Sequence, residues 1–162
     1  MYKILLADDE GIVIESLKIL IEKELGSNCE IRYAKTGRSV IELAETFRPD
    51  IAFMDIQMPG INGIEAMKEI RKANSSIIFI VMTAYDKFDY AREAINLKVL
   101  DYLNKPADKE KILDVLNRAI SIIDEERRKR SEDLLIREKM ETVVPIIQNG
   151  LISNFLLREH FD

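Results

Sequence analysis

The chain has 162 residues, 47% of them hydrophobic and 33% charged, with a formal net charge of −5. That length accommodates one domain with an appendage, and the acidic balance excludes a basic nucleic-acid footprint. A single cysteine, Cys29, cannot form an internal disulfide, so a reducing cytoplasm is the expected setting.

The first apolar run, Lys3 to Ala7, is cut short by Asp8-Asp9-Glu10, a pattern that does not read as a signal peptide. Further short runs follow at Glu30 to Ala34, Ile51 to Met54, Ile77 to Met82 and Leu100 to Leu103. Continuous rather than alternating apolar runs are what a sheet covered on both faces demands. The run from Ile77 to Met82 is the longest and falls far short of a membrane span, so no membrane association is expected.

Helical stripes lie between the strands: Ile12, Leu17, Leu20 and Ile21; then Val40, Ile41, Leu43 and Ala44. Ile64, Met67, Ile70 and Ala73 make a third, and Tyr90, Ala91, Ala94 and Ile95 a fourth. Strand and helix in regular alternation predict an α/β fold, a doubly wound five-stranded parallel sheet of flavodoxin-like type.

After Pro106 no Gly or Pro occurs until Pro145. Leu113, Leu116, Ile120 and Ile123 predict a fifth covering helix. Asp124 to Asp133 holds no apolar residue, and its acids precede bases at four-residue spacing: Asp124–Arg128, Glu125–Lys129 and Glu126–Arg130. Ile136, Met140, Val143 and Ile147 then resume a stripe spaced as in a coiled coil. Pro145 is expected to kink this extended helical tail, and Asn149-Gly150 to stop it. The chain ends in mid-pattern, as expected for a piece of something longer.

Polar residues gather where such a sheet concentrates function, at the carboxyl ends of its strands. The first strand is followed by Asp8 and Asp9, the third by Asp55, the fourth closes on Thr83, and the fifth precedes Lys105. Three carboxylates on one rim repel one another, and a hard divalent cation such as Mg2+ resolves that repulsion. Lys105 adds a point charge suited to a phosphoryl group. Taken singly these residues have blander readings. Asp8 or Asp9 alone caps a helix, and Thr83 alone is an ordinary strand residue. The set together describes a phosphoryl-transfer site.

The motifs "LLADDE", "FMDIQMPGINGIE", "VMTAYD" and "DYLNKP", in that order, resemble the receiver domain of bacterial two-component response regulators. The resemblance implies a receiver over residues 1–122 and a helical linker or dimerisation segment over 123–162. It implies that Asp55 is phosphorylated by a sensor histidine kinase. Mg2+ would be held by Asp9, Asp55 and the backbone carbonyl of Gln57, with Asp8 acting mainly through water. Lys105 would pair with the phosphoryl group, Thr83 would turn its hydroxyl onto it, and Tyr102 would rotate inward behind Thr83. Gln57 and Tyr85 flank the expected site, where they either tune the lifetime of the phosphoryl group by gating water or simply face solvent.

The run "TAYDKFDYAREAINLKVLDYLNKP" with a charged helix after it is similar to regulators that end in an AraC-type helix-turn-helix domain. That domain is absent from these residues, so DNA would be reached only through it. The expected protein is a signalling module and not an enzyme, a cytoplasmic homodimer switched by phosphorylation to control transcription. Three rivals fit less well. An aspartyl-phosphate phosphatase usually has an acid where Gln57 stands. A flavin or nucleotide binder needs a Gly-rich loop where Asp8-Asp9-Glu10 stands. A scaffold with a vestigial pocket would not need the intact set of acids, Thr and Lys.

Overall fold

The computed structural model describes residues 1–84 and 88–148, and the side chains of these except 88, 89 and 142–148. Strands and helices alternate strictly. They are β1 Tyr2–Ala7, α1 Gly11–Leu25, β2 Cys29–Ala34, α2 Gly37–Phe47, β3 Ile51–Met54, α3 Gly63–Ala73, β4 Ile78–Thr83, α4 Phe88–Asn96, β5 Asp101–Asn104 and α5 Lys109–Gln148. All strand pairs are parallel, in the order β2-β1-β3-β4-β5. This is the doubly wound sheet that the alternation predicts, with strand boundaries moved by one residue at most positions.

The sheet holds because its central strands are apolar on both faces. Ile4, Leu5, Leu6, Ile51, Ala52, Met54, Phe79, Ile80 and Val81 have no exposed surface. The strand β2 lies at one edge, and there Arg32 and Tyr33 face solvent. Charged and bulky polar groups suit an edge that must not pair further.

The helices bury narrower faces than their sequences suggest. In α1 the buried residues are Ile14, Leu17 and Ile21, while Ile12 is exposed. Ile12 is the second residue of the helix, in its first turn. In α3 Ile64, Met67 and Ile70 are buried but Ala73, in the last turn, is exposed. In α4 Ala94 is buried and Ile95 exposed. In α5 Ile112, Val115, Leu116, Ala119 and Ile123 carry the burial, with Leu113 and Ile120 half-buried at its margins. Of the predicted stripe Leu116 and Ile123 are buried and Leu113 and Ile120 half-buried, while Ile112, Val115 and Ala119 widen it on one side.

The chain divides into two units, Met1–Ile120 and Ser121–Asp162. In the second, α5 continues through Pro145 to Gln148, so the proline does not end the helix. Arg128 is engaged by Glu125 one turn before it and Glu132 one turn after, not by the four-residue pattern alone. Asn149 and Gly150 lie outside the described residues. Ile136 is exposed and Met140 half-buried, while the side chains of Val143 and Ile147 are outside the described set.

Candidate functional site

Parallel strands bring all their carboxyl ends to one rim, and the order reverses beside β1, which opens a crevice between β1 and β3. The backbone ladder runs on past the strand ends and fixes the residues just beyond them. Asp8 N donates to Ala34 O at 3.2 Å, Asp55 N to Ala7 O at 2.8 Å, and Lys105 N to Thr83 O at 2.9 Å. Asp8, Asp55 and Lys105 are therefore set by sheet register, not by flexible loops.

The loop from Asp55 to Asn62 is folded hard against the acid at its start. Ile56 and Met58 are buried beneath it, Gly60 adopts φ +75°, and Asn62 caps α3 by accepting from Glu65 N at 2.9 Å. Gly63 N donates to Ile56 O at 2.7 Å, and a Cβ at Gly63 would lie 2.0 Å from Asp55 O. Only glycine lets α3 start that close to the backbone of Asp55.

Three carboxylates converge in the crevice. Oxygens of Asp8, Asp9 and Asp55 all lie within 4.8 Å of one another. Asp8 and Asp55 are buried and Asp9 is exposed. Lys105 Nζ bridges the two buried acids, 2.6 Å from Asp8 Oδ2 and 3.0 Å from Asp55 Oδ2. The remaining oxygens take backbone donors: Glu10 N reaches Asp8 Oδ1 at 2.9 Å and Gln57 N reaches Asp55 Oδ1 at 3.3 Å. Burial pushes the Asp8 carboxyl above its usual range, the bonds from Lys105 and Glu10 N pull it back, and the charge of Asp55 raises it again. Burial pulls Lys105 down, but its bonds to Asp8 and Asp55 and their charges leave it above the ordinary lysine value. The two shifts differ in origin: burial dominates at Asp8, whereas at Lys105 the two neighbouring carboxylates outweigh burial.

An all-oxygen set with surplus negative charge is what a hard divalent cation takes. Asp8, Asp9 and Asp55 fit such an ion in ligand type and spacing.

Thr83 ends β4 with no exposed surface, opposite Asn104 in register. Tyr102 lies opposite Val81, so it shares with Val81 and Thr83 one face of the β4–β5 ribbon. It is half-buried against the apolar core. Gln57 has an exposed side chain, and Tyr85 lies outside the described residues. One further acid enters the site: Glu10 Oε2 stands 3.4 Å from Lys105 Nζ. Glu10 is not among the site residues expected from sequence, although its place directly after two site acids is the signal that finds it.

The sequence profile of the response regulator receiver domain matches residues 4–117. The chain belongs to that family. The receiver is 36% identical over 121 residues to the uncharacterized transcriptional regulatory protein YesN of Bacillus subtilis, covering 75% of this chain and 33% of that protein. It is 31% identical over 134 residues to the transcriptional regulatory protein HptR of Staphylococcus aureus, covering 83% of this chain and 52% of HptR. Among solved structures, the REC domain of AraT, a response regulator from Geobacillus stearothermophilus, matches with TM-score 0.71 and 38% identity, over 78% of this chain and 98% of that one. The chain thus spans from a third to about half the length of these curated relatives. It is the receiver of a two-component response regulator, a signalling domain and not a conventional enzyme, and its relatives are transcriptional regulatory proteins. No helix among the described residues is long and apolar enough to cross a membrane.

Proposed function

We propose that Asp55 is the phosphoacceptor and that a sensor histidine kinase is the donor. The observation that carries this reading is the Lys105 bridge between two buried carboxylates at the switch point of the sheet. A carboxylate oxygen of Asp55 attacks phosphorus in line, the P–N bond of the phosphohistidine breaks, and its electron pair returns to the imidazole. Lys105 lies beside Asp55 Oδ2, where it can follow the new negative charge onto the phosphoryl group. Asp8, Asp9, Asp55 and the carbonyl of Gln57 would hold Mg2+, whose charge offsets that of the phosphoryl oxygens. Thr83 turns its hydroxyl toward the phosphoryl group and Tyr102 follows behind it, which makes the pair the switch.

The receiver proper is residues 1–122, and residues 123–162 link it to an output domain and support a homodimer. By the resemblance to regulators that end in an AraC-type helix-turn-helix domain, the output domain is of that type, and DNA is its ligand in a cytoplasmic protein. Incubation with acetyl phosphate and Mg2+ tests the core of this reading. Wild type should gain the mass of one phosphoryl group, stable to acid and labile to alkali, and Asp55→Asn should gain none. Equal labelling of Asp55→Asn would reject the assignment.

A further inference from the structure

One guanidinium ties α3 to α4. Arg71 stands in the last turn of α3, and its Nε and Nη2 donate to Leu97 O at 3.3 and 3.2 Å. Its Nη1 donates to Ser75 O at 3.0 Å and to Ile77 O. Its Cζ lies over the Phe79 ring, 4.5 Å from the centroid. The planar fork thus joins α3, the loop into β4, β4 itself and the turn after α4. Leu97 O belongs to the set of carbonyls a helix leaves unpaired at its end, and a cation there also opposes the helix dipole. One turn earlier on α3, Lys68 pairs with Glu93 of α4 at 2.9 Å.

The opposite end of α3 is locked to the candidate site. Gly63, its first residue, bonds Ile56 O at 2.7 Å and leaves no room for a Cβ against Asp55 O. So α3 is a short rigid body whose first turn touches the backbone of Asp55 and whose last turn holds the end of α4. Ile64, Ala66, Met67 and Ile70 are buried along its length and prevent it from bending freely.

We propose that α3 and Arg71 form a second route from Asp55 to α4, separate from Thr83 and Tyr102. A shift of the Asp55 backbone moves Gly63, α3 carries the motion along its axis, and Arg71 delivers it to Leu97 O. The proposal rests on Asp55 being the phosphoacceptor. A rigid element with defined contacts at both ends supplies the physical link that a coupling claim requires, and coupling is what must be measured.

The test uses the whole chain with Arg71→Met, which keeps an unbranched apolar side chain but removes every donor, and Arg71→Lys, which keeps charge and fewer donors. Amide resonances are followed as beryllofluoride and Mg2+ are added. In wild type, shifts should appear at Tyr102 and at Leu97 to Val99. In Arg71→Met the Tyr102 shift should persist while those at Leu97 to Val99 fall by at least half; Arg71→Lys should be intermediate. Acetyl phosphate should label Asp55 in both variants at the wild-type rate, since Arg71 is not in the site. A full response at Leu97 to Val99 in Arg71→Met overturns the proposal, even if hydrogen exchange there is faster, because Arg71 is then a cap only. A wild-type response at Tyr102 with none at Leu97 to Val99 overturns it as well. If Arg71→Met does not fold, Arg71→Lys decides, and a response equal to wild type rejects the route. A wild type that takes up no phosphoryl group removes the Asp55 reading itself, before any Arg71 variant is made.

Discussion

The site works by close approach at single residues. Gly63 and Gly37 are places where a Cβ would fall 2.0 Å from Asp55 O and 1.9 Å from Ile61 O, both backbone atoms that cannot swing aside. Overpacking of this kind costs about 1–3 kcal/mol or more. Gly63→Ala should therefore lose about 3 kcal/mol in urea denaturation and also slow labelling of Asp55, because relief of the clash moves the acid. Gly26→Ala makes the contrast: its Cβ meets nothing within 4 Å, and its cost comes only from φ +59°. Asp8 supplies a pH-dependent case. Its native pKa lies above the unfolded value, so the stability it contributes is fully present below about 3.8 and is lost as pH rises through the native pKa. With metal chelated, Asp8→Asn should melt at the same temperature as wild type near pH 3.5 and a few degrees above it at pH 7. A gap that shrinks toward neutral pH would show that Asp8 gains more from Lys105 than it loses by burial.

At the scale of elements, what could be read from sequence and what could not divide along physical lines. All five strands and five helices were legible, because runs such as Ile77 to Met82 have no alternative to a buried strand and the stripes between them have the helical period. The rim acids and Lys105 were legible too, since parallel strands must bring their ends together. Which helical residues stay dry was less legible. Ile12, Ile95 and Ala73 fit their stripes and lie in terminal turns, yet are exposed, while Ile64 and Ala94, also in terminal turns, are buried. Periodicity marks a broad apolar arc, and which part of that arc meets the sheet is set by packing that the chain order does not state. The bond between Glu10 and Lys105 was missed although Glu10 follows directly on two rim acids, because it lies one residue beyond them, at the start of α1, where a helix-end role accounts for an acid equally well. The helix α1 tests the distinction. Ile14→Ala should cost about 3 kcal/mol through the cavity it leaves, and Ile12→Ser should stay within about 0.5 kcal/mol of wild type. Equal losses in chemical denaturation would mean that α1 packs on a wider face than its burial shows.

For the whole molecule the open question is what the far part of α5 does with its apolar residues. Leu134, Leu135 and Ile136 are 53%, 51% and 55% exposed, three in succession on a helix whose neighbouring residues are charged. Their points of attachment run around the helix, so a single chain has no one face on which to hide them. Surface pairs such as Arg128 with Glu125 and Glu132 hold the helix together locally but contribute little to its burial. Apolar surface removed from water gains about 25 cal/mol per Å². A second copy of the same helix offers that burial, with Ile136 and Met140 four residues apart as the start of the seam. The long charged stretch before it keeps the pairing modest, so a reversible dimer in the micromolar range is the expected state. Phosphorylation strengthens it if the receivers also become complementary when Asp55 is modified. Sedimentation of the 162-residue chain, with and without beryllofluoride, should show a concentration-dependent dimer that tightens on addition. Ile136→Lys combined with Met140→Lys should weaken it at least tenfold in both states, since buried lysines in a seam repel across the pair. A variant that dimerises as wild type does would place the interface elsewhere on the molecule, and a wild type monomeric at high micromolar concentration in both states would leave α5 a linker alone.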